Sequence, residues 1–230
     1  MGCEKGADPT PNGGDPNTTN KILNVGDSRV AGARPEFESY RYELWKNMIA
    51  GDWSVDFIGP LQDDASYPAF MGLAFDRDHA GVGGFQTIDI LREMETITGI
   101  MDTPSIILMD IGGNDLLGGR PVDETIANIN TIIDQFQEIY PDAILAIEQI
   151  APGMTGIMTS QILQSFTAFN QKIMEVSNQQ SNANQTVIAV DMAAGWSDEY
   201  LADDLHYNEK GAKVVADRYY QAIKPFLNNE

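Results

Sequence analysis

From residue 21 onward, short apolar runs alternate with longer stretches whose apolar residues recur every three or four positions. The runs at 21–25, 53–58, 105–111, 143–150 and 186–190 read as strands, and 105–111 (SIILMDI) is the most continuously apolar of them. The stretches at 39–50, 87–98, 122–140, 161–177 and 208–227 have helical spacing. In 122–140 the residues Val122, Ile126, Ile129, Ile133 and Phe136 form one apolar stripe, and Pro225 breaks the last helix near its end. Five apolar strands separated by helices imply an α/β fold, a parallel sheet covered on both faces with right-handed crossovers. Ligands in such sheets bind beyond the carboxyl ends of the strands, so the residues just after each strand are where chemistry is expected.

Residues 1–20 (MGCEKGADPTPNGGDPNTTN) carry no period and are rich in Gly, Pro, Asn and Asp. They read as a flexible leader before one domain at 21–230. The full length of 230 residues suits a single substantial core. No apolar run approaches the roughly 20 residues of a membrane-spanning helix, and no apolar stretch follows a basic start as in a signal peptide.

The charge changes the picture more. Fourteen Lys plus Arg against 34 Asp plus Glu leave a formal net charge of −20. Such a surface repels nucleic acid and anionic membranes, so a neutral substrate is expected. The lone cysteine, Cys3, excludes an internal disulfide, and a leader offers nothing to activate a thiol. Gly2-Cys3 before a polar linker resembles the pair left at a bacterial lipoprotein cleavage site. On that reading Cys3 carries a lipid anchor and the protein is extracytoplasmic, secreted or on the cell surface; the alternative is a chance cysteine.

Three post-strand segments hold reactive groups. Gly26-Asp27-Ser28 follows the first strand, and a serine there projects its hydroxyl into the cleft or caps the next helix. Gly112-Gly113-Asn114-Asp115 follows the third; the Asn114 amide can donate to a developing oxyanion, or the segment is a turn with Asp115 as cap. Asp203-Asp204-Leu205-His206 precedes the last helix. A carboxylate three residues before an imidazole can fix its tautomer and leave the other nitrogen free to take a proton, or the pair is a surface histidine beside a cap. Together they supply a nucleophile, a donor and an oriented base at one sheet edge. Of the other candidates, His79 in the acidic turn 76–79 reads as structural, since a metal site needs more ligands. Gly195-Trp196-Ser197 lacks the second glycine of a nucleophile elbow.

The order GDS, a glycine block, GxND, then DxxH resembles the SGNH (GDSL-like) hydrolases from about residue 22 to 223. Ser39-Tyr40-Arg41 with Leu44-Trp45, then Val55-Asp56-Phe57-Ile58-Gly59, the stretch DHAGVGGF at 78–85 and Tyr207-Asn208-Glu209-Lys210-Gly211 are similar to the acetylxylan-esterase branch, carbohydrate esterase family 3. The resemblance implies a three-layer α/β/α sandwich with flavodoxin-like strand order. It implies Ser28 as nucleophile, His206 as base, Asp203 as its orienter, and an oxyanion hole of the Ser28 N–H, a glycine N–H and the Asn114 amide. Gly83 and Gly84 both fit the glycine, and Gly84 is preferred for its place before Phe85. Three departures stand out. Arg29-Val30 replaces the common Ile-Thr, Val82 stands where histidine is frequent, and Tyr207 where proline is frequent.

The activity implied is hydrolysis of short acyl esters, acetyl groups on polysaccharide foremost, with no metal or organic cofactor required. A general short-chain carboxylesterase or a lysophospholipase-like enzyme is the alternative. A non-catalytic glycan-binding module is a third reading, in which Tyr67, Phe70, Phe85 and Trp196 stack on sugars rather than pack in the ordinary way.

Overall fold

The computed structural model describes residues 18–229. The leader up to residue 17, with Cys3 and its lipid-anchor reading, lies outside the described residues.

Seven strands form one sheet: β1 (Asn20–Gly26), β2 (Val55–Ile58), β3 (Leu61–Gln62), β4 (Asp78–Gly81), β5 (Ile106–Asp110), β6 (Ile144–Gln149) and β7 (Val187–Asp191). The helices are α1 (Ser28–Ala31), α2 (Arg41–Ala50), α3 (Thr87–Arg92), α4 (Met94–Thr98), α5 (Gly113–Leu117), α6 (Val122–Ile139), α7 (Ser160–Gln180) and α8 (Glu209–Ile223). The five strands expected from apolar runs lie side by side in the order β2-β1-β5-β6-β7, all parallel. Counting only those five, this is the flavodoxin-like order 2-1-3-4-5.

The sheet is wider than the expected five strands. β4 runs parallel to the last two residues of β1, and β3 pairs antiparallel with β4. Neither shows in the pattern, because β3 has two residues and β4 reads Asp-His-Ala-Gly. Their pairing is held by backbone contacts with neighbours already in place. The helical stretch at 87–98 likewise divides, into α3 and α4 at Glu93.

Alternate residues of each strand face opposite layers. Leu23, Val25, Ile107, Met109, Leu145 and Ile147 pack toward α3, α4, α6 and α7. Ile22, Ile106, Leu108, Ala146 and Val190 pack toward α2 and α8. This period of two, with both faces apolar, is why the strands read as unbroken apolar runs.

Candidate active site

The carboxyl end of β1 is shaped by a close approach. At Gly26 a Cβ would lie 2.1 Å from the Asp110 carbonyl oxygen and 2.6 Å from Val30 Cγ2, so only glycine lets β1 turn sharply into α1 there. Asp27 caps α1, its Oδ1 accepting from the Arg29 N–H at 3.0 Å. The cap is therefore Asp27 rather than Ser28, and the Ser28 hydroxyl is free for another partner. At the other end of α1, Arg41 is fully buried and donates to the Val30 carbonyl (2.8 Å) and the Ala31 carbonyl (2.9 Å). A four-residue helix cannot satisfy its own ends, and these two side chains do it.

Ser28 Oγ lies 2.9 Å from His206 Nε2 across a separation of 178 residues. His206 Nδ1 lies 2.8 Å from Asp203 Oδ2 and 3.0 Å from Oδ1. Asp203 Oδ1 also accepts the backbone N–H groups of Leu205 and His206, both at 2.8 Å. Burial works against the Asp203 charge, but those N–H groups and the imidazole outweigh it and hold the carboxyl below its ordinary value. The Phe37 ring stacks on the imidazole with centroids 3.9 Å apart and planes at 15°. The imidazole is thus held by a carboxylate on one edge, the serine on the other and an aromatic face. Nothing in the local pattern around Phe37 marks it. It reaches His206 because the segment before α2 pairs with the loop after His206, the Glu38 N–H donating to the Tyr207 carbonyl at 2.8 Å.

The Asn114 amide donates to Asp27 Oδ2 at 3.1 Å and to the Phe85 carbonyl at 2.9 Å, joining the serine's turn to the glycine loop. Asp115 is fully buried and accepts the N–H (2.8 Å) and hydroxyl (2.7 Å) of Thr87, which ties the start of α3 to α5. Gly84 takes a left-handed backbone, φ +81°, with open space around it. A Cβ on Gly83 would lie 4.0 Å from Ser28 Cβ, so that residue borders Ser28 directly.

A cavity of about 20 Å³ opens beside Ser28 and Asn114, walled by Leu117, Ile150, Phe166 and Leu205. That is room for roughly one water-sized group. On the other side of His206 a concavity bordered by Met154, Asp203 and Asp204 lies open to solvent.

Beneath the site the sheet carries acids that the sequence pattern does not mark. Asp110 is buried at the end of β5. Glu148 lies on β6, one step beyond the paired Met109 and Ile147. Burial first, then the Asp27 charge, pushes the Asp110 carboxyl up to about 7 against the pull of Arg29. Burial, then Asp110, holds Glu148 well above the ordinary carboxylate range. A carboxyl raised by folding binds its proton more tightly in the native chain. Its contribution to stability is complete below the ordinary value and is lost as pH rises toward about 7. Asp76, pushed up to about 7 mainly by burial, has the same sign. His79 opposes both below its ordinary value, because burial pushes it down to about 3. Asp110→Asn removes the Asp110 carboxyl together with the charge it sets against Glu148. The variant is expected to lose less Tm between pH 5 and pH 8, the slope difference being at most about 1.4 kcal/mol per pH unit. Parallel Tm–pH curves for the two would contradict it.

His79 accepts the Gly81 N–H on Nδ1 at 3.0 Å and is buried at the β4 edge, a structural placement. Tyr67, Phe70 and Trp196 pack partly buried against the core on the α2/α8 side, and Phe85 against the core on the opposite side. Among the described residues no group of three or more His, Cys, Asp or Glu could hold a metal ion, and no helix is long and apolar enough to cross a membrane.

The model of the GDSL-like Lipase/Acylhydrolase family matches residues 25–214. No curated protein matches the chain. Among solved structures, a carbohydrate esterase family 3 from Talaromyces cellulolyticus is 27% identical with a TM-score of 0.75, the match covering 90% of this chain and 97% of that one. An acetyl esterase mutant with acetate ion is also 27% identical, with a TM-score of 0.73 and coverage of 90% and 99%. A Clostridium thermocellum family 3 carbohydrate esterase, 24% identical with a TM-score of 0.71 and coverage of 91% and 99%, shares the fold.

Proposed function

The chain belongs to the GDSL-like lipase/acylhydrolase (SGNH) family and is a serine esterase, and from that premise we propose that it removes acetyl groups from O-acetylated polysaccharide with Ser28, His206 and Asp203. The observation that carries this reading is the unbroken hydrogen-bond chain from Ser28 Oγ through both imidazole nitrogens to the Asp203 carboxylate.

His206 Nε2 takes the Ser28 proton as Oγ attacks the ester carbonyl carbon. Asp203 keeps the second imidazole proton on Nδ1 and stabilises the imidazolium that forms. The negative charge on the carbonyl oxygen is met by the Ser28 N–H, the Gly84 N–H and the Asn114 amide, which gives up its bond to Asp27 or to the Phe85 carbonyl to reach it. As the tetrahedral intermediate collapses, the C–O bond to the alcohol breaks and His206 returns the proton to that oxygen. Water, deprotonated by the same imidazole, then attacks the acyl-serine; the bond to Ser28 Oγ breaks, His206 returns the proton to Oγ, and the acid leaves.

The size of the cavity supports the acetyl assignment. An ester presents two sides, and a glycan alcohol fits only the open one. The acyl group is left with the small cavity walled by Leu117, Ile150, Phe166 and Leu205, which favours a short chain. Likeness to a carbohydrate esterase family 3 enzyme and an acetyl esterase supports a glycan acetyl ester over a lipid.

Two measurements test this. Acetate release from a panel of acetylated glycans, set beside a p-nitrophenyl ester series, is expected to favour acetyl strongly. A preference for long acyl chains in the parent enzyme would overturn the reading. Shortening the cavity wall with Leu117→Ala is expected to raise the butyrate-to-acetate ratio of kcat/KM by about tenfold, the worth of one or two methylene groups in a pocket. An unchanged ratio would place the acyl chain elsewhere.

A further inference from the structure

Arg29 follows the nucleophile directly, yet its side chain leaves the serine and crosses to the segment that carries the base. It is buried. Its Nε and Nη2 donate to the Leu205 carbonyl at 3.0 and 2.8 Å, and its Nη1 donates to the Ala151 carbonyl at 2.8 Å. Leu205 immediately precedes His206, so the guanidinium fork grips the peptide unit from which the imidazole hangs. The third contact reaches Ala151 in the segment just after β6, next to Ile150 of the cavity wall.

The guanidinium also sits over the Tyr207 ring, 4.9 Å from its centroid. Tyr207 is fully buried and follows His206 directly. Arg29 and Tyr207 are two of the three positions at which the chain departs from the common pattern of the branch it resembles, and the fold puts them in contact. Burial works against the Arg29 charge, and the Asp110 and Asp27 carboxyls at the ends of β5 and β1 oppose that. A planar fork with several donors can hold two carbonyls and an aromatic face at once; an ammonium cannot.

We infer that Arg29 is a positioning residue, a strut seated on Tyr207 that sets His206 at hydrogen-bond distance from Ser28 by fixing the Leu205 carbonyl. It touches no reacting atom and acts through the imidazole. The inference rests on the proposed roles of Ser28 and His206. Misplacing a catalytic group by about 1 Å costs up to roughly 100-fold in rate while leaving substrate binding intact.

The test is Arg29→Lys, which keeps a positive charge among the buried acids and removes the fork. Its kcat is expected to fall about 10- to 100-fold with KM within about twofold, and covalent labelling of Ser28 by a fluorophosphonate is expected to slow in step. The chain has two histidines, so ring resonances in an NMR spectrum read His206 directly with His79 as internal reference. In Arg29→Lys the His206 signals are expected to shift and broaden while those of His79 stay. Tyr207→Leu, which removes the seat and leaves Arg29 in place, is expected to give the same pattern at smaller amplitude, and it serves if Arg29→Lys does not fold. A parent-like kcat in either folded variant, or a fall in kcat with His206 signals superimposable on the parent's, overturns the strut. The NMR readout needs no turnover, so its failure is separate from any failure of Ser28 as nucleophile, which Ser28→Ala reports.

Discussion

Replacing Ser28 with alanine is expected to lower kcat/KM for p-nitrophenyl acetate by about 10⁴-fold or more. The Ser28 hydroxyl is the group that His206 Nε2 contacts, at 2.9 Å, and without it no acyl-enzyme forms. What remains in Ser28→Ala is the oxyanion donors acting on attack by water, which in enzymes of this logic still exceeds the uncatalysed rate. Folding is expected to be preserved, because Asp27 caps α1 and Ser28 does not. Thermal unfolding and Ser28 labelling therefore accompany the kinetics. A folded Ser28→Ala enzyme with parent-like turnover would falsify the proposed mechanism at its first step.

Asp203→Asn is expected to cost about 10³-fold in kcat, and the reason lies in which oxygen is already engaged. Oδ1 accepts two backbone N–H groups at 2.8 Å, so an amide at this position keeps its oxygen there. Its NH₂ then occupies the place of Oδ2, 2.8 Å from Nδ1. Facing a donor, Nδ1 must accept, which moves the imidazole proton to Nε2 and points it at Ser28. In that tautomer the ring cannot take the serine proton. The expected loss is smaller than for a buried triad carboxylate because the Asp203 side chain is 51% exposed, where water screens its stabilisation of the imidazolium. Steady-state kcat beside the His206 ring resonances checks both halves of the expectation. A loss below tenfold with an unchanged tautomer would remove Asp203 from the mechanism.

These expectations draw unequally on sequence and structure. The five core strands are legible because each is a mainly apolar run that must be covered on both faces, as the alternation of Ile106 and Leu108 with Ile107 and Met109 between two cores shows. The four helices longer than eight residues are legible from their stripes. The Ser28, Asn114 and Asp203–His206 segments stand out because each follows a strand of one parallel sheet, and such ends converge whatever the details of packing.

What the pattern does not carry is any arrangement made by loops closing over the sheet. β3 and β4 hold their places through backbone pairing, which leaves no side-chain signature. Phe37 meets His206 and Arg29 grips Leu205 only because turns remote in sequence are brought edge to edge, the latter pair 176 residues apart. Asp110 and Glu148 are ordinary acids in a list of 34, and only their depth beside Arg29 sets them apart. Periodicity along a chain records which way each residue must face. Which distant residue it meets there depends on how the whole chain packs, and that information is three-dimensional from the start.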